Sequence, residues 1–336
     1  MGFLFRSSIV VALFLLLLSG GFLVYLYQWA SAPLPLLEPV VIELAPGESF
    51  GAFADVLQSA GVVERGWLFT AYARWKGQTN RIQAGEYRVT NEATPESLLA
   101  DLVAGAVVTY QIRIVEGSTI MQVVHQLGET DRLINDLGSA SAATLMPRLQ
   151  LGSGHAEGRF FPATYDFRKG TQASVVLLRA NERMRDVLAQ EWSMRAAGLP
   201  YATPDEALIM ASIIEKETGR EIERGKISRV FVSRLQRQMR LQTDPSVIYG
   251  LGSAFDGNLT RAHLDADNPY NTYRKTGLPP TPIALPGLAS IKAALHPDDG
   301  DYLYFVAKGD GSSEFSATLD EHTAAVRRYQ LNGDDP

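Results

Sequence analysis

Residues 203–219 read TPDEALIMASIIEKETG, and the rest of the chain is organised around them. Thr203 suits an N-cap and Pro204 the first helical position. Glu206, three residues after the cap, completes a capping box, so a helix starts here. On a wheel at about 100° per residue the apolar face centres on Ala207, Met210 and Ile214, with Ala211 and Ile213 at its edges. Glu217 falls about 50° from that centre, Glu215 about 110° and Lys216 about 150°. Glu217 is therefore the expected half-buried carboxylate, and Glu215 its nearest rival. Burial makes a carboxylate costly to ionise, so its pKa rises toward the range where it donates a proton at neutral pH, as a general acid must. The plainer alternative is a solvated pair with Arg220, although Gly219 offers to end the helix before it.

Around this helix the pattern stays helical. Residues 172–195 carry a stripe of Leu177, Met184, Leu188 and Trp192 that would buttress it, and residues 222–239 turn Ile227, Val230, Phe231 and Leu235 inward with basic residues outward. Next comes MRLQTDPSVIYG, residues 239–250, where Asp244 followed by Pro245 marks another helix start. Asp244 is then either a cap or a functional carboxylate. Two loops, Asn268-Pro269-Tyr270-Asn271-Thr272-Tyr273 and GLPPTPIA at 277–284, are dense in Pro, Tyr and Asn with few charges. Such loops suit a sugar groove, because aromatic faces stack on pyranose rings while amides reach hydroxyls. A purely structural proline loop has the same composition. The chain closes with a helix over 288–295, a strand over 302–307 turning at Gly309-Asp310-Gly311 toward Phe315, and a helix over 320–329.

Toward the N-terminus lies a small α+β region. A strand over 40–44, a turn over 46–51 and a helix with Phe53, Val56 and Leu57 on one face are followed by an aromatic helix over 67–75, a strand near 87–89 and a helix over 95–103. Val108, Tyr110, Ile112 and Ile114 alternate as a strand, and Glu116-Gly117-Ser118-Thr119 opens a helix bearing Ile120, Val123, Val124 and Leu127. The pairing of PGES and VEGST, each with a following helix, is a weak internal repeat. Gly47-Glu48-Ser49-Phe50-Gly51 also satisfies G-x-S-x-G, but a hydrolase of that type needs several core strands before its nucleophile, so Ser49 reads as an N-cap. The Ser, Ala and Gly content of residues 137–158 makes them the best candidate boundary, ahead of Glu157-Gly158-Arg159-Phe160-Phe161-Pro162 and Thr164-Tyr165-Asp166-Phe167.

After Arg6 no charge occurs until Glu38, and Ile9 to Tyr25 is almost wholly apolar. A bilayer is crossed by about 20 such residues. With Arg6 before the span and Tyr25, Tyr27 and Trp29 at its far end, the expected arrangement is a cytoplasmic tail at 1–6 and a single span at 7–29. The bulk of the chain then lies outside the cytoplasm. A cleaved signal peptide is the competitor, with Ala30-Ser31-Ala32 as its cleavage site, but the apolar run exceeds the usual h-region of about 7–15 residues. Residues 32–39 read as a Pro-rich spacer leading away from the membrane.

Composition narrows the chemistry. At 336 residues and 46% hydrophobic the chain can build two domains, and its net charge of -6 argues against nucleic acid as a partner. With no cysteine there is no thiol nucleophile, disulfide or cysteine-ligated metal. The five histidines, His125, His155, His263, His296 and His322, stand singly without metal-ligand spacing, so neither a metal nor any other cofactor is expected.

Residues 211–218 (ASIIEKET), Met239 to Gly250, Tyr270-Asn271-Thr272-Tyr273, Gly277-Leu278-Pro279-Pro280, Ala294 to Pro297 and Tyr302 to Val306 together resemble the MltG (YceG-like) family of membrane-anchored endolytic murein transglycosylases. The resemblance runs through most of the chain, in family order. It implies an α+β chain: one transmembrane helix, a small LysM-like glycan-binding module over 39–115, and a mainly helical catalytic domain with a small sheet over 116–336, residues 116–158 being a connecting segment. It also implies cleavage of the MurNAc-β-1,4-GlcNAc bond within glycan strands without water. The muramyl C6 hydroxyl attacks C1 and leaves a 1,6-anhydro end, so one carboxyl group can serve as acid and then base. Wheel and motif both select Glu217; Gln242, Asp244, Tyr270, Asn271 and Tyr273 are carried over as groove residues without individual roles. The implied partners are peptidoglycan glycan strands, the bacterial cytoplasmic (inner) membrane and peptidoglycan synthases. Two further readings stand beside this one. A lysozyme-type hydrolase would need a second carboxylate about 5–9.5 Å away, from Asp244 or Glu215. A non-enzymatic scaffold would use the first module alone to hold glycan near the membrane.

Overall fold

A computed structural model describes residues 2–331, with side chains from Ile9 onward. Met1, the first residue of the expected tail, and 332–336, the last of the expected catalytic domain, lie outside the described residues. The chain divides into two compact units, residues 1–110 with 166–170, and 111–165 with 171–336. The first unit's N-terminal stretch runs to Tyr110, and residues 116–158, read as a connecting segment, belong to the second unit.

In the first unit, α1 (Gly2–Ala30) runs unbroken through the expected tail and span. Its portion Ile9–Ala30, 22 residues, is long and apolar enough to cross a membrane, extending about 33 Å at about 1.5 Å per residue. The residues after it, read as a Pro-rich spacer, are mostly exposed but are tied to the unit at one point. Leu34 is buried in the unit's core, and its N–H donates to Ala93 O at 2.7 Å. Strand β1 (Val40–Leu44) precedes α2 (Phe50–Ser59) and α3 (Gly66–Trp75); β2 (Gly85–Val89) then pairs antiparallel with β1, setting Ile42 opposite Tyr87. The unit closes with α4 (Pro95–Ala104) and leads into β3 (Tyr110–Arg113). Ser49 is the N-cap of α2, its hydroxyl accepting from Ala52 N at 3.2 Å, which is the role the sequence assigns it over a nucleophile.

The second unit begins with α5 (Ile120–Gly128), whose Thr119 and Gln122 form a capping box. The turns before α2 and α5 match: Gly47 and Gly117 adopt φ 80° and 76°, a left-handed conformation that suits glycine, two residues ahead of each cap. Then follow β4 (Leu133–Ile134), α6 (Leu145–Arg148), β5 (Thr164–Phe167), whose last two residues count with the first unit, and β6 (Thr171–Gln172). β5 pairs with β3, and β6 runs parallel to β4. The helical part comprises α7 (Ala173–Ser193), α8 (Pro204–Glu217), α9 (Glu221–Gln236), α10 (Asp244–Leu251), α11 (Arg261–Asp265) and α12 (Leu288–Leu295). An antiparallel pair, β7 (Tyr304–Ala307) and β8 (Ser313–Ser316), and α13 (Leu319–Val326), extended by a π-helical turn over Arg327–Leu331, complete it. The small sheet expected of this unit is instead several separate two-stranded pairs.

Helix α8 starts as its sequence dictates. Thr203 Oγ1 accepts from Glu206 N at 3.3 Å while Glu206 answers Thr203 N at the same distance. It does not have one apolar face, however. Ala207 through Ile214 are all buried, because α7, α9, α10 and α12 surround it. A wheel assumes one wet side; from Ala207 to Ile214 this helix has none.

In the first unit, α2 and α3 pack too closely to admit a side chain at Gly66, where a Cβ would lie 2.5 Å from Ala54 O. We expect Gly66→Ala to cost about 1–3 kcal/mol through overpacking, measurable as a lowered thermal unfolding midpoint of the full chain in detergent. An unchanged midpoint would show that the two helices can part without cost.

Candidate active site

Glu217 is the last residue of α8. Thr218 is extended at φ -147° and ψ 137°, so the chain leaves the helix immediately after the carboxylate. The group is half-buried, and Oε1 accepts a short hydrogen bond from Thr243 Oγ1. Burial raises its pKa from the ordinary 4.5 to about 7; the Thr243 bond and the Arg234 charge pull against that rise, while Asp244 adds to it. The desolvated acid inferred from sequence is present, and its Arg220 alternative is not: Arg220 pairs with Glu223 at 3.9 Å.

The partners of Glu217 come from the segment before α10. Thr243 is buried, its N–H donating to Thr272 Oγ1 at 3.0 Å, and Ser246 and Thr272 hydroxyls meet at 2.9 Å behind it. Gln242 adopts φ 53° and its N–H donates to Thr272 O at 3.2 Å. A non-glycine residue held there costs on the order of 1–2 kcal/mol, which the surrounding bonds must offset. Asp244 is not a side-chain cap, since Thr243 occupies the cap position of α10; its Oδ1 instead accepts from Tyr273 OH at 2.6 Å. Burial first, and Asp244 second, raise the Tyr273 pKa, so this hydroxyl stays a donor.

Arg234 reaches the site from α9. It is buried, with Nε donating to Leu303 O and Nη1 to Leu241 O, each at 2.7 Å, and its guanidinium lies 5.3 Å from the Tyr304 ring centre. A cavity of about 470 Å³ opens over these groups, lined by Glu217, Arg234, Gln242, Asp244, Tyr273 and, on the far wall, Phe305 of β7 among others. His322 also lines it, stacked on Tyr304 at 5.1 Å.

Four of the seven sequence-selected residues thus share one cavity: Glu217, Gln242, Asp244 and Tyr273. Glu215, Tyr270 and Asn271 do not line it. Glu215 is buried on another side of α8, where Oε2 accepts from Gly287 N at 2.9 Å, the cap residue of α12, and Arg224 stands 3.8 Å away. There it caps the start of α12, away from the cavity. Asn271 is fully buried, its amide donating to the carbonyls of His263, Leu264 and Ala266 at 3.3, 3.0 and 2.8 Å, so it ties down the chain end of α11. Tyr270 bonds Thr281 Oγ1 at 2.8 Å and packs edge-on to Tyr249 at 5.0 Å. The proline loop over 277–284, read as a groove wall, is fastened to the core: Ile283 N donates to Ser212 Oγ of α8 at 3.0 Å.

Thr243, Arg234 and His322 were not singled out from sequence. Thr243 could have been found as the residue before Asp244-Pro245. Arg234 is hidden among the other basic residues of α9. A second buried carboxylate, Glu157, is also raised to about 7 by burial, against hydrogen bonds from Ile120 N at 2.9 Å and Tyr249 OH at 3.1 Å. It does not line the cavity. Among the described residues no three His, Cys, Asp or Glu side chains assemble as a metal site.

The comparisons with known proteins concern the chain as a whole. The YceG-like family profile matches residues 42–328. This chain belongs to the YceG-like family. A relative from Bacillus subtilis (strain 168), an endolytic murein transglycosylase, is 33% identical over 319 residues and aligned over 88% of each chain. One of the same name from Streptococcus pneumoniae (strain D39 / NCTC 7466) is 28% identical over 356 residues, aligned over 94% of this chain and 64% of its own length. The crystal structure of a yceG-like protein from Listeria monocytogenes matches with a TM-score of 0.51 at 30% identity, over 85% of this chain and 98% of that one.

In this YceG-like chain Glu217 links the site to stability. Its folded pKa of about 7 exceeds the ordinary 4.5, so between those values the folded protein holds a proton the unfolded chain has released. That contribution is fully present below about pH 4.5 and is lost as pH rises through about 7. We expect Glu217→Gln to unfold at a higher temperature than the parent at about pH 8, with the gap shrinking as pH falls toward 4.5. Thermal scans of both proteins across that range check it, and comparison with the parent cancels the titration of Glu157. A gap that does not vary with pH would mean Glu217 ionises as freely in the folded state as in the unfolded one.

Proposed function

We propose that this chain is an endolytic peptidoglycan lytic transglycosylase, cleaving MurNAc-β-1,4-GlcNAc bonds within glycan strands to leave 1,6-anhydroMurNAc ends and so terminating or trimming nascent strands. What carries the reading is Glu217, a carboxylic acid raised to about 7 at an open cavity, in a member of a family whose curated relatives bear the name endolytic murein transglycosylase. An acid poised there can protonate the glycosidic oxygen and then, as carboxylate, accept the proton of the muramyl C6 hydroxyl as that oxygen closes on C1. The substrate supplies its own nucleophile, so one carboxyl group suffices where a glycosidase uses two.

The surroundings fit that cycle. Thr243 occupies Oε1, leaving Oε2 to carry the proton. Arg234 stabilises the carboxylate formed once the proton has gone, and its charge acts on the acid as a downward pull on its pKa. Asp244 is exposed and held by Tyr273, so its negative charge faces the positive character that grows at C1. Gln242, exposed on a strained backbone, reaches sugar hydroxyls. The relatives' names favour neither a lysozyme-type hydrolase nor a non-enzymatic scaffold.

The finer organisation belongs to the same proposal. Residues 39–115 act as a LysM-like glycan-binding module and residues 116–336 as the catalytic domain. Helix α1 is a single-pass anchor in the inner (cytoplasmic) membrane, with the N-terminus cytoplasmic and the catalytic part periplasmic or extracytoplasmic. Peptidoglycan synthases are the natural neighbours of an enzyme acting on nascent strands.

Digestion of long, uncrosslinked glycan tests the chemistry. The parent should release anhydro-ended fragments, and Glu217→Gln should lower the rate by at least about 100-fold while still folding and unfolding cooperatively. Fragments heavier by one water would make the enzyme a hydrolase, and full activity of Glu217→Gln would remove Glu217 from the reaction.

A further inference from the structure

We propose that the first turn of α3 is a second membrane contact, in which Trp67 enters the lipid headgroup layer beside the exit point of α1. The inference rests on the reading of α1 as a bilayer anchor. It begins with how firmly α1 joins the first unit. Leu26 and Ala30, four residues apart on one helix face, are 1% and 0% exposed within the unit's core, and Leu34 continues the same seam at 5%. The anchor is therefore docked into the folded unit, with no flexible joint between them.

Two contacts set the level of α3 along α1. Arg65 Nη1 donates to Tyr25 OH at 3.3 Å, and the rings of Trp29 and Phe69 meet edge-on at 6.5 Å. Each partner advances four residues from the first contact to the second, so α3 runs alongside α1 in the same direction. Trp67, midway between Arg65 and Phe69, lies level with Tyr27, inside the aromatic segment that ends the apolar span. Its neighbours Leu68 and Phe69 are buried at 0%, yet Trp67 itself is 58% exposed. An indole left open at the level of Tyr25 and Tyr27, which are 45% and 55% exposed, has the amphipathic character and the height that suit a headgroup layer. Arg65 can extend its guanidinium to lipid phosphates from the same turn. Trp75 lies two turns farther along α3, about 12 Å beyond Trp67, and so stands clear of lipid. Such seating fixes the first unit at one height above the bilayer.

Fluorescence of the full chain in nanodiscs made with lipids brominated near the headgroup tests this. The four tryptophans are Trp29, Trp67, Trp75 and Trp192. Trp67→Phe and Trp29→Phe should each reduce the bromine-quenched part of the emission by about a third to a half, and Trp75→Phe should leave it unchanged. Trp67 is exposed and phenylalanine keeps an aromatic ring, so the fold tolerates the change. If Trp67→Phe leaves quenching intact while Trp29→Phe lowers it, the second contact is overturned and the anchor stands. If neither lowers it, the anchor reading fails and takes this inference with it.

Discussion

The end of α8 governs this molecule. A helix buried on every side from Ala207 to Ile214 can present polar groups to solvent only at its two ends, and Glu217 is where it stops. Once there, the carboxylate needs a partner that does not ionise, since a cation at contact distance would restore its acidity to the ordinary range. The Thr243 hydroxyl meets that need, and Arg234, with Nη1 and Nε donating to the carbonyls of Leu241 and Leu303, acts on Glu217 through its field. The strained backbone of Gln242, the Thr272 hydroxyl and the short helix α10 all serve to set Thr243 and Asp244 beside that one side chain.

Much of this was legible in the residues. The capping box of α8, the Pro after Asp244, the cap role of Ser49 and the period of α7 are local signals, and local signals survive into the fold because each concerns groups within a few residues of one another. The wheel reached Glu217 for an incomplete reason. It assumed a wet face, and α8 has none along its buried length, so angular distance from the apolar centre could not tell Glu215 from Glu217. What separates them is which neighbour each meets: the backbone N–H of Gly287 for one, an open cavity for the other. That is long-range information, absent from any window of sequence.

The same limit explains the groove loops. Tyr270, Asn271 and Tyr273 lie within four residues and share a composition that suits sugars, yet only Tyr273 lines the cavity with Glu217. Asn271 carries three carbonyl acceptors at the end of α11, and a buried amide so engaged has no donor left for a hydroxyl. In the Pro-rich spacer after α1 one leucine, Leu34, likewise found a core to enter, while most of its neighbours stay exposed. Composition names what a loop could do; the carbonyls and cores within reach decide what it does.

Glu157 and Glu217 make the last distinction. Both are carboxyl groups raised to about 7 by burial, and by pKa alone they are equal candidates for a general acid. Glu157, however, spends Oε1 on the N–H that begins α5 and Oε2 on Tyr249 OH, so both oxygens face protein. Glu217 spends only Oε1. An acid catalyst must have one oxygen free to meet the reacting atom, and a perturbed pKa without that opening marks a buried structural group. Access favours Glu217 as the proposed acid, and the raised pKa would then set the pH at which it works.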